Sequence, residues 1–136
     1  MMKAISLLQP WATLVVMGMK KIETRSWSTP YRGTILIHAS LGKKAGWIAA
    51  EPPFSSYIEN FKDLPFGAII GEATLTTILR VEDFGMADNK LEILTMEEKA
   101  FGDYAPGRFG RVLENAFPFD TPIPARGHLR LWDFEY

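Results

Sequence analysis

The sequence has no cysteine and only two histidines among its 136 residues. Without cysteine the chain cannot form disulfides, thiolate nucleophiles or cysteine-based zinc sites, and this usage suits a reducing compartment. We therefore expect a cytoplasmic protein. The two histidines, His38 and His128, have no acidic residues near them at ligand spacing, so we expect neither a metal nor another cofactor.

Long apolar runs are also missing. No stretch of 18 apolar residues occurs, and Gln9-Pro10 interrupts the short apolar start, which excludes a signal peptide and predicts no membrane partner. The sequence also has no Walker loop, no dinucleotide-binding glycine pattern and no recognisable Ser-His-Asp set. With 47% hydrophobic residues, the chain can bury one core, which predicts a single domain over residues 1–136.

Net charge is small but unevenly distributed. Residues 1–50 contain seven basic residues and one acidic residue, whereas residues 51–103 contain four basic and eleven acidic residues. The remaining residues are balanced. This asymmetry predicts a positive patch from the first 50 residues on a nearly neutral molecule.

β-Branched and apolar runs separated by proline and glycine predict six strands and three helices. The strands are expected at residues 4–7, 22–27, 34–39, 67–81, 109–117 and 129–134, and the helices at 11–17, 42–50 and 95–100. Thr95-Met96-Glu97-Glu98 is a capping-box candidate for the last helix. Many strands without regular βα alternation favour an α+β fold with a closed or nearly closed barrel.

One charged motif stands beside a predicted turn. Gly18 can end the first helix, and alternation in the following strand places Glu23, Arg25 and Trp27 on one face. If the turn brings Lys20 back, an ammonium, a carboxylate and a guanidinium converge. Such a group can bind a polar ligand, although charges beside a turn are more often ordinary surface residues.

Gly18, Lys20, Glu23 and Arg25 resemble the Gly-x-Lys-x-x-Glu-x-Arg pattern of the ASCH family. Further similar segments are Ile5-Ser6-Leu7-Leu8-Gln9-Pro10-Trp11, Tyr31-Arg32-Gly33, Ile37-His38-Ala39-Ser40, Pro106-Gly107-Arg108-Phe109 and Arg126-Gly127-His128-Leu129-Arg130-Leu131-Trp132. The resemblance spans nearly the whole chain. It implies a PUA-like β-barrel with helices packed around it and a cleft beside the motif.

Candidate site residues follow from the motif and its surroundings. Glu72, a carboxylate within an apolar strand, needs a cationic partner if it is buried, and the resemblance implies an active-site role for it. We therefore predict Lys20, Glu23 and Glu72 as catalytic residues in one cleft. The predicted ligand-binding residues are Gln9, Trp11, Gly18, Arg25, Trp27, His38, Ser40 and Arg108; Trp11 and Trp27 would stack a base.

The resemblance implies RNA or a modified nucleoside as the partner. Our first hypothesis is binding of a single-stranded or modified nucleotide beside the motif. The first alternative is a hydrolase acting on N4-acetylcytidine or RNA. Amide-hydrolysing relatives carry a nucleophilic threonine where this chain has Glu23, so hydrolysis here would need water activated by a carboxylate. The second alternative is a protein-interaction adaptor using the acidic residues 82–98.

Overall fold

The computed structural model describes residues 1–84 and 94–135. In that part of the chain, six strands and two α-helices are joined by short 3-10 turns. The strands are β1 (Met2–Leu7), β2 (Ile22–Arg25), β3 (Gly33–Ala39), β4 (Ala68–Arg80), β5 (Phe109–Pro124) and β6 (Leu131–Phe134), and the helices are α1 (Trp11–Val16) and α2 (Met96–Phe101). The α+β prediction is confirmed.

The strands form one mixed sheet in the order β2-β5-β4-β3-β1-β6. β1 runs parallel to β3, and every other neighbouring pair is antiparallel. The sheet is strongly curled. β2 and β1 are four positions apart in the strand order, yet the Arg25 guanidinium at the end of β2 donates to the Ser6 carbonyl of β1 at 2.9 Å.

Of the predicted closed or nearly closed barrel, only the fully closed form is wrong. Within residues 1–84 and 94–135, β2 and β6 are the two edges of the sheet and are not paired with each other. The Arg25 side chain of β2 instead reaches β1, the neighbour of β6, through its hydrogen bond to the Ser6 carbonyl.

Apolar side chains pack on both faces of the sheet. The largest cluster lies between α1 and one face, where Val15 and Val16 of the helix meet Ile35, Ile37 and Leu113 of the strands. A second cluster on the other face contains Ala4, Leu36, Ile69 and Trp132. Successive side chains of a strand alternate between the two faces, so a strand residue next to a member of one cluster lies on the opposite face of the sheet.

Several predicted boundaries differ from the structure. The strand predicted to reach residue 27 ends at Arg25, and β5 continues to Pro124. Where a helix was predicted over residues 42–50, only a 3-10 turn over Gly46–Ala50 forms. A glycine inside a short helix costs about 1 kcal/mol, which explains why no α-helix extends through this segment.

Candidate functional site

The turn after α1 sets the position of Lys20. Gly18 has a φ of 77°, a left-handed conformation that ends the helix. The Leu14 carbonyl then accepts hydrogen bonds from the backbone N–H groups of both Met19 and Lys20, each at 3.0 Å. This tight reversal directs the Lys20 side chain into the protein, where only 1% of it is exposed.

Glu23 is held between two cations. Its Oε1 lies 3.2 Å from Lys20 Nζ, and its Oε2 lies 2.7 Å from Arg25 Nε. Lys20 also donates to the Ile22 carbonyl. Burial alone raises the pKa of Glu23, but the charges of Lys20 and Arg25 outweigh that effect and lower the pKa overall. Glu23 is therefore a fixed, ionised hydrogen-bond acceptor.

Glu23 faces a cleft of about 530 Å³, hereafter the first cleft. Trp11, Ser40 and Arg108 also line it, and α2 contributes Phe101. Trp11 is oriented by its Nε1–H, which donates to the Phe101 carbonyl at 2.7 Å. Arg108 is fixed by hydrogen bonds to the carbonyls of Thr24 and Asp103, at 2.9 and 3.1 Å.

A neighbouring cleft of about 680 Å³, hereafter the second cleft, shares Ser6, Arg25 and Ser40 with the first. His38 lies in its wall. Burial lowers the pKa of His38, which favours the neutral ring. Its Nε2–H donates to the Ala125 carbonyl at 2.8 Å, so Nδ1 accepts from the Ser6 hydroxyl at 3.0 Å. The Ser6 oxygen in turn accepts from Trp132 Nε1 at 3.1 Å.

Five predicted site residues lie outside both clefts, namely Lys20, Gln9, Gly18, Glu72 and Trp27. Lys20 contacts Glu23 from behind and is too buried to meet a ligand directly. Gln9 is fully buried, with its amide bonded to the Pro65 carbonyl and the Thr13 N–H. Gly18 shapes the backbone of the turn. In this structure Lys20, Gln9 and Gly18 contribute to the fold around the clefts and line neither of them.

Glu72 does not share the cleft with Glu23. In the sheet it stands opposite Leu36 of β3 and Phe117 of β5, on the face of the second apolar cluster. Its chain neighbour Ala73 belongs to the cluster beneath α1, as does Leu113. Glu23 stands opposite Arg111 of β5, so the two side chains lie on the same face. Arg111 and Leu113 are two residues apart in that strand and share a face, which is the face covered by α1. The predicted catalytic set of Lys20, Glu23 and Glu72 is therefore not assembled.

Trp27 is also absent from both clefts, against the prediction that it stacks a base. It packs against the apolar cluster beneath α1, and the guanidinium of Arg111 lies 4.1 Å from its ring centroid. Arg130 lies 5.4 Å from the same ring. Two arginines therefore already pack on the Trp27 ring.

Two important residues were missed by sequence reasoning. Arg111 is 1% exposed, donates to the Trp27 carbonyl at 2.6 Å and has a pKa lowered by burial to about 10. Its position opposite Glu23 could have been predicted only if the pairing of β2 with β5 had been known. Glu98 was considered only within the capping box, and Thr95 does accept from its N–H at 3.1 Å.

The Glu98 carboxylate has a second role, because it accepts from the N–H groups of Lys21 and Ile22, at 2.8 and 3.3 Å. Burial raises its pKa, and the contacts with Lys21, Ile22 and Lys20 oppose that change. Glu98 therefore connects α2 directly to the strand that carries Glu23 and Arg25. No group of three potential metal ligands occurs within residues 1–84 and 94–135.

The family model described as "ASCH domain" matches residues 5–120. This chain belongs to the ASCH family. The family is associated with RNA binding, and the motif around Glu23 lies within the matched residues.

Two curated relatives are activating signal cointegrator 1 of Mus musculus and of Homo sapiens. Each is 34% identical to this chain, over 138 and 137 residues respectively, which is 96% of the chain but only 22% of either relative. The chain thus spans about a fifth of their length.

Solved structures of ASCH proteins share this α+β fold. The ASCH protein of Zymomonas mobilis aligns with a TM-score of 0.52 and 20% identity, over 90% of this chain and 72% of that one. A mutant form of the same Zymomonas mobilis protein gives 0.52 and 22% identity, over 90% and 74%. At this identity the comparison shows the fold alone. In the part of the chain that the structure describes, no helix is long and apolar enough to cross a membrane.

Proposed function

We propose that this ASCH domain binds single-stranded RNA by placing one base in the first cleft against Trp11, with Glu23 accepting hydrogen bonds from the base. The observation that carries the proposal is the ionised Glu23 carboxylate, fixed by Lys20 and Arg25 and directed at a cleft. A volume of about 530 Å³ is in the range of small-ligand sites, which supports a nucleoside-sized occupant.

The fixed acceptor makes the cleft selective. A carboxylate accepts a hydrogen bond from the exocyclic amine of cytosine, whereas uracil has a carbonyl oxygen at that position, which would repel the carboxylate. Arg25 is occupied by Glu23 and the Ser6 carbonyl, and Arg108 by two other carbonyls, so their charge is partly compensated. We therefore expect the first cleft to prefer a base with amino donors, with cytosine as the reference ligand.

The geometry supports binding more than hydrolysis. A general base works best when its pKa lies near the working pH, yet the pKa of Glu23 is lowered. Lys20, which would have to stabilise an oxyanion, is buried behind Glu23, and Glu72 lies on the other sheet face. The adaptor alternative concerns residues 82–98, of which 85–93 lie outside the described residues.

Calorimetric titration with cytidine and uridine tests the proposal. We expect cytidine to bind more tightly than uridine, and Glu23→Gln to weaken cytidine binding about tenfold, because a hydrogen bond to a charged group is stronger than a neutral one. Asp103→Asn is the matched control, since Asp103 also lines the first cleft but is 63% exposed at its side chain. Its cytidine affinity should not change.

Two results would contradict the proposal. Equal affinities for cytidine and uridine in the wild type would remove the role given to Glu23 as a selective acceptor. Turnover of N4-acetylcytidine that is abolished by Glu23→Gln would establish the hydrolase instead.

A further inference from the structure

We propose that the second cleft binds the phosphate backbone of the same strand whose base occupies the first cleft. This inference rests on the proposed function and extends it from a single nucleoside to an oligonucleotide. The two clefts are adjacent, because Ser6, Arg25 and Ser40 line both. A strand leaving the first cleft beside Arg25 therefore enters the second.

The charge of the second cleft differs from that of the first. Arg126, His128 and Arg130 line it together with Arg25, and no acidic residue is among the described residues in its wall. Within residues 1–84 and 94–135, Arg126 and Arg130 form no ion pair. The first cleft, by contrast, contains Glu23 and Asp103. Uncompensated arginines suit phosphate, which they contact through several N–H donors.

The basic segment over residues 125–130 is held in place by the fold. The Ala125 carbonyl accepts from His38, and its N–H donates to the Gly67 carbonyl at 3.1 Å. Gly127 lies so close to His38 and Ser6 that an added Cβ would be 2.7 Å from an atom of each. This contact requires glycine between the two arginines and, together with the hydrogen bonds of Ala125, holds the first half of the segment against the cleft wall.

Arg130 is positioned by an unusual backbone. Its φ is 57°, a conformation that costs a non-glycine residue energy, and its guanidinium lies over the Trp27 ring. Strained backbone occurs preferentially at functional sites. The strain also supplies a clean test, because Arg130→Gly removes the side chain while relieving the strain, so the fold should tolerate it.

The test measures the salt dependence of binding for a short oligocytidylate RNA, by fluorescence anisotropy between about 50 and 200 mM KCl. Each lost phosphate contact should reduce the slope of log K against log salt by about 0.7. The Arg126→Ala/Arg130→Gly variant should therefore lose about 1.4 in slope. Its affinity for cytidine, which has no phosphate, should equal that of the wild type.

Arg80→Ala is the matched control. Arg80 is also an exposed arginine near an aromatic ring, 5.8 Å from the Phe109 centroid, but lines neither cleft. An equal loss of slope in Arg80→Ala, or none in the double variant, would overturn the inference. Absence of cytidine binding in the wild type would instead refute the proposed function, while a slope change confined to the double variant would still support a phosphate site.

Discussion

At the scale of single residues, the site depends on a buried charge cluster that a ligand meets at one end only. Lys20 and Arg25 neutralise Glu23, yet only Glu23 and Arg25 line a cleft. Breaking a buried ion pair by removing one charge costs about 3–5 kcal/mol, because the other charge stays buried without its partner. The motif is thus as much a stability element as a binding element.

We expect Glu23→Gln to lower the free energy of unfolding by about 3 kcal/mol at neutral pH, measured by urea denaturation. The cause is the Lys20 ammonium, which keeps its burial but loses its counter-charge. In the Lys20→Met/Glu23→Gln double variant part of that loss should return. Strictly additive losses in the two single variants and the double would contradict this coupling.

The pH dependence provides a control for the same prediction. Because the folded protein lowers the pKa of Glu23, this group stabilises the fold above the ordinary glutamate pKa of about 4.3, and the contribution disappears as pH falls through the lower folded value. The stability difference between wild type and Glu23→Gln should therefore shrink below about pH 4. Glu98, whose pKa is raised, is present in both proteins and cancels.

At the scale of elements, local patterns predicted much of the site and failed where distant elements decide. Alternation correctly placed Glu23 and Arg25 on one face, and Gly18 correctly predicted the end of α1. The depth of Lys20 could not be predicted, because α2 holds the adjacent backbone through Glu98. Glu72 was misplaced because its face depends on the pairing of β4 with β3 and β5.

The connection between α1 and β2 gives a prediction at this scale. Gly18→Ala should destabilise the protein by about 1 kcal/mol, since alanine disfavours a positive φ. No atom lies within 4 Å of an added Cβ, so the cost is one of backbone conformation and not of collision. Gly18→Asn should cost less, because asparagine tolerates this conformation. Urea midpoints measure both, and equal losses would argue against the conformational explanation.

At the scale of the whole molecule, the sheet brings together in the second cleft basic residues from parts of the chain that the sequence composition did not indicate. The positive patch was predicted from the first 50 residues, but Lys20 of that segment is buried. Arg25 of that segment lines the second cleft, but Arg126 and Arg130 come from the charge-balanced last part of the chain. They reach the site because β6 returns to pair with β1, which is parallel to β3. Such long-range pairings leave no local pattern to detect.

The sheet order predicts unequal stability across the molecule. β3 and β4 are interior strands with fully buried residues such as Ile37 and Leu75, whereas β6 has four residues and pairs with β1 alone among the described strands. In native-state hydrogen exchange, amides of β3 and β4 should open only with global unfolding. Amides of β6 should open at a lower free energy.

Because β6 directly follows the basic segment of the second cleft, bound oligocytidylate should slow exchange in β6 more than cytidine does. Cytidine, held in the first cleft, should protect β2 instead, since β2 carries Glu23. Exchange in β6 at the global free energy without ligand would contradict the predicted local opening. Equal protection of β6 by the two ligands would mean that the bound RNA does not extend beyond the first cleft.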